Sequence, residues 1–494
     1  MPLQGIFRKL LARPSDKPYT EVIRYRIVLK YLGVVLLVLG VEFAITAAVS
    51  IEMAEHVSSY IFYLVMAVIY SAAGLYLFYR VPEKEITVPE VAAVAASSFL
   101  VASVLGAAPF AVLGAMPPVD AWFESMSGFT TTGFSLMDVK GSPGSLVFMR
   151  ALSQWLGGMG FVVITVSILI VSRSTAVTLL KEGVEEKLFP RISRHIQVIV
   201  LTYAALSIIG VVMLLLFGLG LFDALCYTLS GLSTGGFAPD AGSVSVQPYR
   251  KALLPLILIM SFGATNFILY YENLKLNRGI RKALYGFFTN SQVLCLIFFI
   301  LALAVLIGAT LTGEATWLDG LFMAASAQTT TGFFTVDPAG FSDVTLMLLV
   351  PAMFIGGAMG STAGGIKFLR IVVFFKSFNR FIFSREYPEE LVLPKAGGVK
   401  GVAKGELQSI FYVIAVYVFF AFSGSLVFIA SGFEPMKSIF EVTSAVGTVG
   451  LSSGIVSPEL NGGLKVLLVL LMWGGRLEFI PVFVWLYSFT LRFR

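Results

Sequence analysis

Cysteine and histidine are nearly missing from this chain, with two of each in 494 residues. Cys226 and Cys295 are too few for a disulfide frame, and with His56 and His195 they offer no cluster that could hold a metal. The two thiols read as small buried hydrophobes, and the two imidazoles, near the ends of apolar runs, as solvated interfacial groups. Charge is scarce as well. Only 13% of the residues are Asp, Glu, Lys or Arg, against about 25% in a soluble protein. No nucleophile–base pair stands out, which argues against an enzyme. No apolar run carries Arg or Lys at every third position, which argues against voltage sensing, and no chain of intramembrane acids suggests a proton relay. The first residues are polar and basic (Arg8, Lys9, Arg13, Lys17), unlike a cleavable signal peptide.

What the chain has instead is apolar length. Hydrophobic residues make up 57% of it, with a mean hydropathy of +0.88. Runs long enough to cross roughly 30 Å of hydrocarbon recur throughout. They predict about ten spans, starting near residues 25, 57, 90, 145, 196, 250, 290, 344, 406 and 463. With the N-terminus inside, 28 of the 35 Lys and Arg fall on the cytoplasmic side, in stretches that include 173–194, 275–282 and 367–404. The positive-inside rule therefore places both termini in the cytoplasm. The net charge of +6 follows from these basic loops and requires no nucleic acid.

One phrase occurs four times: Ser, small, two variable residues, Thr, variable, Gly, then an apolar residue. The copies are Ser127–Phe134, Ser230–Phe237, Ser326–Phe333 and Ser444–Leu451. Their glycines, Gly133, Gly236, Gly332 and Gly450, are 103, 96 and 118 residues apart, far beyond a solenoid period. Each copy reads as one quarter of an ion filter. Backbone carbonyls of Thr131, Thr132 and Gly133; Thr234, Gly235 and Gly236; Thr330, Thr331 and Gly332; and Thr448, Val449 and Gly450 would replace a cation's water shell. The middle residue differs in kind between copies, so four-fold coordination should be imperfect.

A short apolar segment precedes each phrase, at about 119–130, 222–233, 318–329 and 437–447. Half-length helices followed by irregular backbone read as re-entrant loops, tolerated at membrane depth only where protein or water satisfies them. Asp120, Asp223 and Asp319 each stand 13 residues before their glycine and read as helix N-caps; Lys437 takes that place in the fourth copy. The negative helix ends would face the axis and favour a cation. An offset of 24 residues then leads from Gly133, Gly332 and Gly450 to the pairs Gly157-Gly158, Gly356-Gly357 and Gly474-Gly475. The unit is thus span, pore helix, filter strand, span. The expected fold is an all-α polytopic membrane protein with four such repeats around one pore. The divisions are 1–84 (tail and two extra spans), 85–194, 195–285, 286–405 and 406–494.

This layout, with Gln154-Trp-Leu-Gly-Gly-Met-Gly160, Gly356-Gly-Ala-Met-Gly-Ser-Thr-Ala-Gly-Gly-Ile-Lys367 and Gly475-Arg-Leu-Glu478, resembles the Trk/Ktr/HKT superfamily of potassium transporters over nearly the full length. The extra span pair makes the chain most similar to the Trk membrane subunit (TrkH/TrkG type). The resemblance implies K⁺ as the transported ion, since Ser replaces the first filter glycine where Na⁺ is carried. It also implies a homodimer in membrane lipid and a cytosolic nucleotide-binding regulator (TrkA type) docking on the inner face. No organic cofactor is implied for this chain.

A second element lies in the third repeat. Gly356, Gly357, Gly360, Gly364 and Gly365, with Ser361 and Thr362, fall within one apolar span. Each glycine costs a helix about 1 kcal/mol relative to Ala, so the span should break at mid-membrane. The break reads as a gate beneath the filter, or else as close packing through small residues. A nucleotide P-loop is discounted, because Ile366 separates Gly365 from Lys367. Arg476 is an intramembrane charge level with Ala358 by repeat offset, placed to reach that break, or to pair with Glu478 or Glu42. Asn266 is a polar pore-lining candidate, and Asp138, Asp240 and Asp337 are candidate cation attractors at the mouth. A K⁺-conducting uptake subunit is the leading reading; a symporter coupling K⁺ to Na⁺ or H⁺ is the alternative.

Overall fold

The computed structural model describes residues 23–81, 86–178, 188–245, 249–270, 286–287, 289–311, 315–384, 390–391 and 402–492. Several basic stretches used to orient the chain, 1–22, 179–187, 275–282 and 392–401, lie outside the described residues. The described part is helical, apart from a two-residue antiparallel pairing of Glu390–Leu391 with Val402–Ala403.

Two long helices, α1 (Tyr25–Glu52) and α2 (Val57–Arg80), form an antiparallel hairpin ahead of the repeats. Gly33 and Gly74 sit where the two backbones come closest. A methyl on Gly33 would fall 2.8 Å from the Gly74 carbonyl oxygen, the small-residue contact by which helices associate in lipid. His56 starts α2 as its cap, accepting the Ser58 N–H at Nδ1. Val41, Val68, Ile208, Phe298 and Phe419 are all more than half exposed. Apolar side chains pointing outward in such number require lipid rather than water around them.

The four repeats follow. The first spans are α3 (Val88–Gly106), α6 (Leu188–Leu216), α9 (Ser291–Thr310) and α13 (Lys404–Ala430). The pore helices are α4 (Pro118–Phe129), α7 (Leu221–Leu232), α10 (Trp317–Gln328) and α14 (Pro435–Val446), each of 12 residues. At 1.5 Å per residue each rises about 18 Å, too short to cross. The second spans are α5 (Gly144–Thr178), α8 (Leu253–Gly263), α11 (Asp343–Ile355) with α12 (Phe368–Ser384), and α15 (Gly462–Arg476) with α16 (Ile480–Arg492). Among the described residues, six helices are long and apolar enough to span, and α15 with α16 makes a seventh if the pair, bent by 105°, counts as one.

Two expectations need correction. The sequence predicts one broken span, in the third repeat, but breaks occur in three. Helix α8 stops at Gly263, α11 stops at Ile355, and α15 stops at Arg476, after which Glu478 and Phe479 take φ of 55° and 60°. Arg476 thus ends a helix instead of lying inside one. The three aspartates are not N-caps either. Pro118, Leu221 and Trp317 open their helices, which makes Asp120, Asp223 and Asp319 third residues of the first turn. Thr316 caps α10, and Asp319 returns the bond by accepting the Thr316 N–H at 2.8 Å. Carboxylates there still complement the positive helix end.

Candidate functional site

Each pore helix ends in the same way. The residue after it is right-handed, and the next is a threonine held left-handed: Thr131, Thr234, Thr330 and Thr448, with φ of 53°, 54°, 55° and 50°. Left-handed backbone costs a β-branched residue roughly 1–2 kcal/mol, so four copies mark a site where strain is retained. The candidate filter glycines are left-handed too, with φ of 95° (Gly133), 83° (Gly236), 93° (Gly332) and 86° (Gly450). Between them stands one residue without positive φ. Alternation of hand turns successive peptide groups to one side.

The recurrent serine holds this shape. Thr132, Gly235, Thr331 and Val449 donate their N–H groups to the carbonyls of Ser127, Ser230, Ser326 and Ser444, at 2.8–2.9 Å. The hydroxyls of Ser127, Ser326 and Ser444 also accept the N–H of Gly133, Gly332 and Gly450, at 3.0–3.1 Å. In repeats one, three and four the donors are thereby consumed by the pore-helix end.

The four strands close a ring. A Cβ on Gly133 would overlap the Gly235 carbonyl oxygen, one on Gly236 that of Thr331, one on Gly332 that of Val449, and one on Gly450 that of Thr132. Each glycine therefore faces the carbonyl of the next repeat, in the order one, two, three, four and back to one. All twelve predicted filter residues are brought together. Every one of these facing groups is a neutral oxygen, a donor set suited to a weakly hydrated monovalent cation.

The ring is not four-fold. In the first and third repeats, Thr132 and Thr331 bond the hydroxyls of Thr130 and Thr329 at 2.8 Å. In the second, Gly235 leaves that space to Gln154 from α5. Gln154 accepts from the Ser230 hydroxyl (2.6 Å) and the Phe237 N–H (3.1 Å), and donates to the Gly235 carbonyl (2.6 Å). Sequence reasoning gave Gln154 no role, and it missed two buried glutamates. Glu124 and Glu441 stand nine residues before Gly133 and Gly450. Glu124 accepts from Ser135 Oγ and the Leu136 N–H at 2.8 and 2.7 Å; Glu441 accepts from Ser452 Oγ and the Ser453 N–H at 2.6 and 2.8 Å. Both strap down the strand as it leaves the filter. Arg150 is buried. It donates to Glu124 at 2.9 Å and lies over the Phe237 ring.

Ion pairs tie neighbouring repeats at the pore-helix starts. Asp319 meets Arg250 at 2.9 Å, and Asp120 meets Lys465 at 2.6 Å. Lys437 stays local, with Glu434. The candidate mouth acids Asp138, Asp240 and Asp337 each accept an N–H two residues on, closing their own turns.

The glycine-rich stretch leaves α11 at Gly356 (φ 70°) and rejoins helix at Phe368. It lies against the helix-side end of the filter. The Gly364 N–H donates to Thr330 Oγ1 at 2.6 Å. Thr362 Oγ1 donates to the carbonyls of Leu232 and Gly263 at 3.0 and 2.9 Å, and Thr234 Oγ1 lies 3.4 Å away. A Cβ on Gly364 would overlap the Gly447 carbonyl, and one on Gly357 would fall 2.9 Å from that of Ala264. Gln328 fixes the upstream hinge through the Gly356 carbonyl at 2.8 Å. Ser361 bonds the Ala358 carbonyl, and Lys367 donates to that of Ala363. Gly360 (φ 74°) packs on Asn266, and its carbonyl accepts the Phe267 N–H. Gly365 (φ 70°) lies under the Phe354 carbonyl.

Arg476, 1% exposed, reaches this stretch and donates Nη1 to the Thr362 carbonyl at 2.7 Å. Of its two alternative partners, Glu478 is engaged by Arg370 at 2.6 Å. Loop and guanidinium thus occupy one place, on the filter threonines of repeats two, three and four.

Comparison with known proteins agrees with this architecture. The family model for TrkH, described as cation transport protein, matches residues 58–488. An uncharacterized cation transporter of Methanocaldococcus jannaschii is 30% identical over 94% of this chain and 96% of its own length. The Trk system potassium uptake protein TrkG of Escherichia coli is 30% identical over 74% of this chain and 77% of its own. The Trk system potassium uptake protein TrkH of Halomonas elongata is 28% identical over 93% and 98%. The crystal structure of the potassium transporter TrkH from Vibrio parahaemolyticus superposes with a TM-score of 0.79 at 22% identity, covering 93% of this chain and 98% of that one.

Proposed function

The chain belongs to the TrkH family of cation transport proteins, and we propose that it is a potassium uptake subunit of a cell membrane, conducting K⁺ through a filter built by its four repeats. The observation that carries this is the closed cycle of glycines facing neighbouring carbonyls. A ring of neutral oxygens, its glycine donors consumed in three repeats, can replace the hydration shell of K⁺, and relatives over most of this length are named potassium uptake proteins. The stretch Gly356–Gly365 with Arg476 acts as the gate. It occupies the filter's inner end, and a buried guanidinium adds a positive charge that repels cations there. The working unit is a homodimer, regulated at its cytoplasmic face by a nucleotide-binding partner of TrkA type. Both termini are cytoplasmic.

Ion flux in liposomes tests the filter. The parent should carry K⁺ and Rb⁺ well ahead of Na⁺, and Gly133→Ser and Gly332→Ser should each narrow that ratio. Unchanged relative fluxes in both variants would remove the filter assignment.

A further inference from the structure

Glu42 sits in α1, outside the four repeats, and is fully buried. Neither carboxyl oxygen has a hydrogen-bond partner among the described residues. It stands ten residues from the end of α1 at Glu52, which at 1.5 Å per residue is about 15 Å deep, near the middle of a bilayer core. An ionised carboxylate cannot persist there unpaired, so the form that this packing accommodates carries a proton.

Buried polar side chains lie between that turn of α1 and the first turn of α5, beginning with Thr46, whose hydroxyl donates to the Glu42 backbone carbonyl. Glu42, Thr46 and Ser50 follow at helical spacing on α1, and all three are buried. Ser50 Oγ donates to Glu55 at 2.7 Å. Glu55 also accepts from the hydroxyl and the N–H of Ser145, the second residue of α5, at 2.6 and 2.8 Å. Ser145 in turn lies 3.4 Å from the hydroxyl of buried Tyr63 on α2, whose ring packs against that of Phe43, the residue after Glu42. Glu55 itself is half-buried at the surface. Among the described residues, the elements packed on α1 give Glu42 no ion-pair partner; Arg80 stands in the last turn of α2, at the other end of the hairpin. From α2 come the phenols Tyr63 and Tyr70; α3 contributes Glu90, bound to Arg24 at the other end; α5 contributes Arg150, bound to Glu124.

We propose that Glu42 is a proton-binding site, loaded from the mouth side through Glu55, Ser145 and Tyr63, whose occupancy sets the rate of the pore. A proton entering at Glu55 passes from hydroxyl to hydroxyl, each accepting one and releasing one, and ends on a Glu42 oxygen. No bond order changes and nothing is oxidised. The link to the pore is α5. Its first turn receives Glu55, and further along it Arg150 and Gln154 hold the strands of repeats one and two. Loss of the proton places a bare charge in the α1 packing and loosens α5, so flux falls as external pH rises. The pore effect rests on the conduction proposed above; the site itself does not.

The test uses the full-length protein in liposomes with internal pH clamped, reading Rb⁺ uptake against external pH. Infrared difference spectra of the same samples report protonated carboxyl groups. The parent should lose flux severalfold from acid to alkaline pH and show a carboxyl band that disappears with it. Glu42→Gln, the neutral shape mimic, should lack that band and keep a flat, high profile. Tyr63→Phe should keep the end points but respond more slowly to a pH jump. A band that persists in Glu42→Gln, or a Glu42→Gln profile that follows the parent, would overturn the site. A Tyr63→Phe response as fast as the parent's would overturn the route. If Glu42→Gln does not fold, Glu42→Asp, which shortens the acid, should shift band and profile together; no shift overturns the site. A parent with flat Rb⁺ flux defeats the link and leaves conduction standing. A parent with no flux defeats conduction, while the band still decides Glu42.

Discussion

Gln154 does in the second repeat what a serine hydroxyl and a β-branched side chain do elsewhere. It alone satisfies Ser230, Gly235 and Phe237 behind the filter. Gln154→Leu would strand three buried polar groups, each costing about 1–3 kcal/mol. We expect a markedly lower melting temperature in detergent and a reduced K⁺ over Na⁺ flux ratio. Gln154→Glu keeps the acceptor and loses the donor to Gly235, so its selectivity loss should exceed its stability loss. A Gln154→Leu variant as selective and as stable as the parent would assign the strand's shape to the backbone alone. The recurring Ser, Thr and Gly were readable from the sequence because each acts within its own copy, at fixed offsets. Gln154 was not, because its partners lie in the next repeat, 76 to 83 positions away. Glu124 and Glu441 share an offset from their glycines, and aligning the copies upstream of the serine would have exposed them.

Helix breaks are the element-scale counterpart. The third span was legible as broken because five glycines fall within ten residues, Gly356 to Gly365. The breaks after Gly263 and Arg476 carry no such density, and tertiary contacts decide them: the Ala264 carbonyl accepts from the Ala358 N–H, and Phe479 folds back under Gly474. Strand-like backbone at that depth survives only because neighbouring elements satisfy it. The loop's bonds to Thr330, Thr362's bonds to repeat two and the Arg476 bond together hold the loop in place, and on the gate proposed above they hold it closed. Arg476→Ala, or deletion of Ala358–Ala363, should therefore raise K⁺ flux per folded protein and weaken dependence on a regulator. Thr362→Val, which removes two hydroxyl bonds and leaves the carbonyl to Arg476, should have the same sign and a smaller size. Variants that fold normally and conduct no faster than the parent would make the stretch a packing element.

At the scale of the whole molecule, repeat number, order and the extra hairpin were all legible, since apolar length and a repeated phrase specify them. Which repeats touch was not, because ring order is a property of the closed assembly. Orientation in the membrane can be read directly. In a background lacking Cys226 and Cys295, Asn461→Cys should react with an impermeant reagent in sealed cells, and Lys376→Cys only after permeabilisation; both positions are exposed. The reverse pattern would invert the topology. Closing the ring within one chain has a further outcome. In an assembly of identical subunits one codon change alters every quadrant at once, and an intermediate between parent and variant cannot be inherited. Here each quadrant has its own codon. A lineage can therefore alter the pore one quarter at a time, keeping three working quarters as it does so, and in this chain Thr132, Gly235, Thr331 and Val449 are already unlike at the one place.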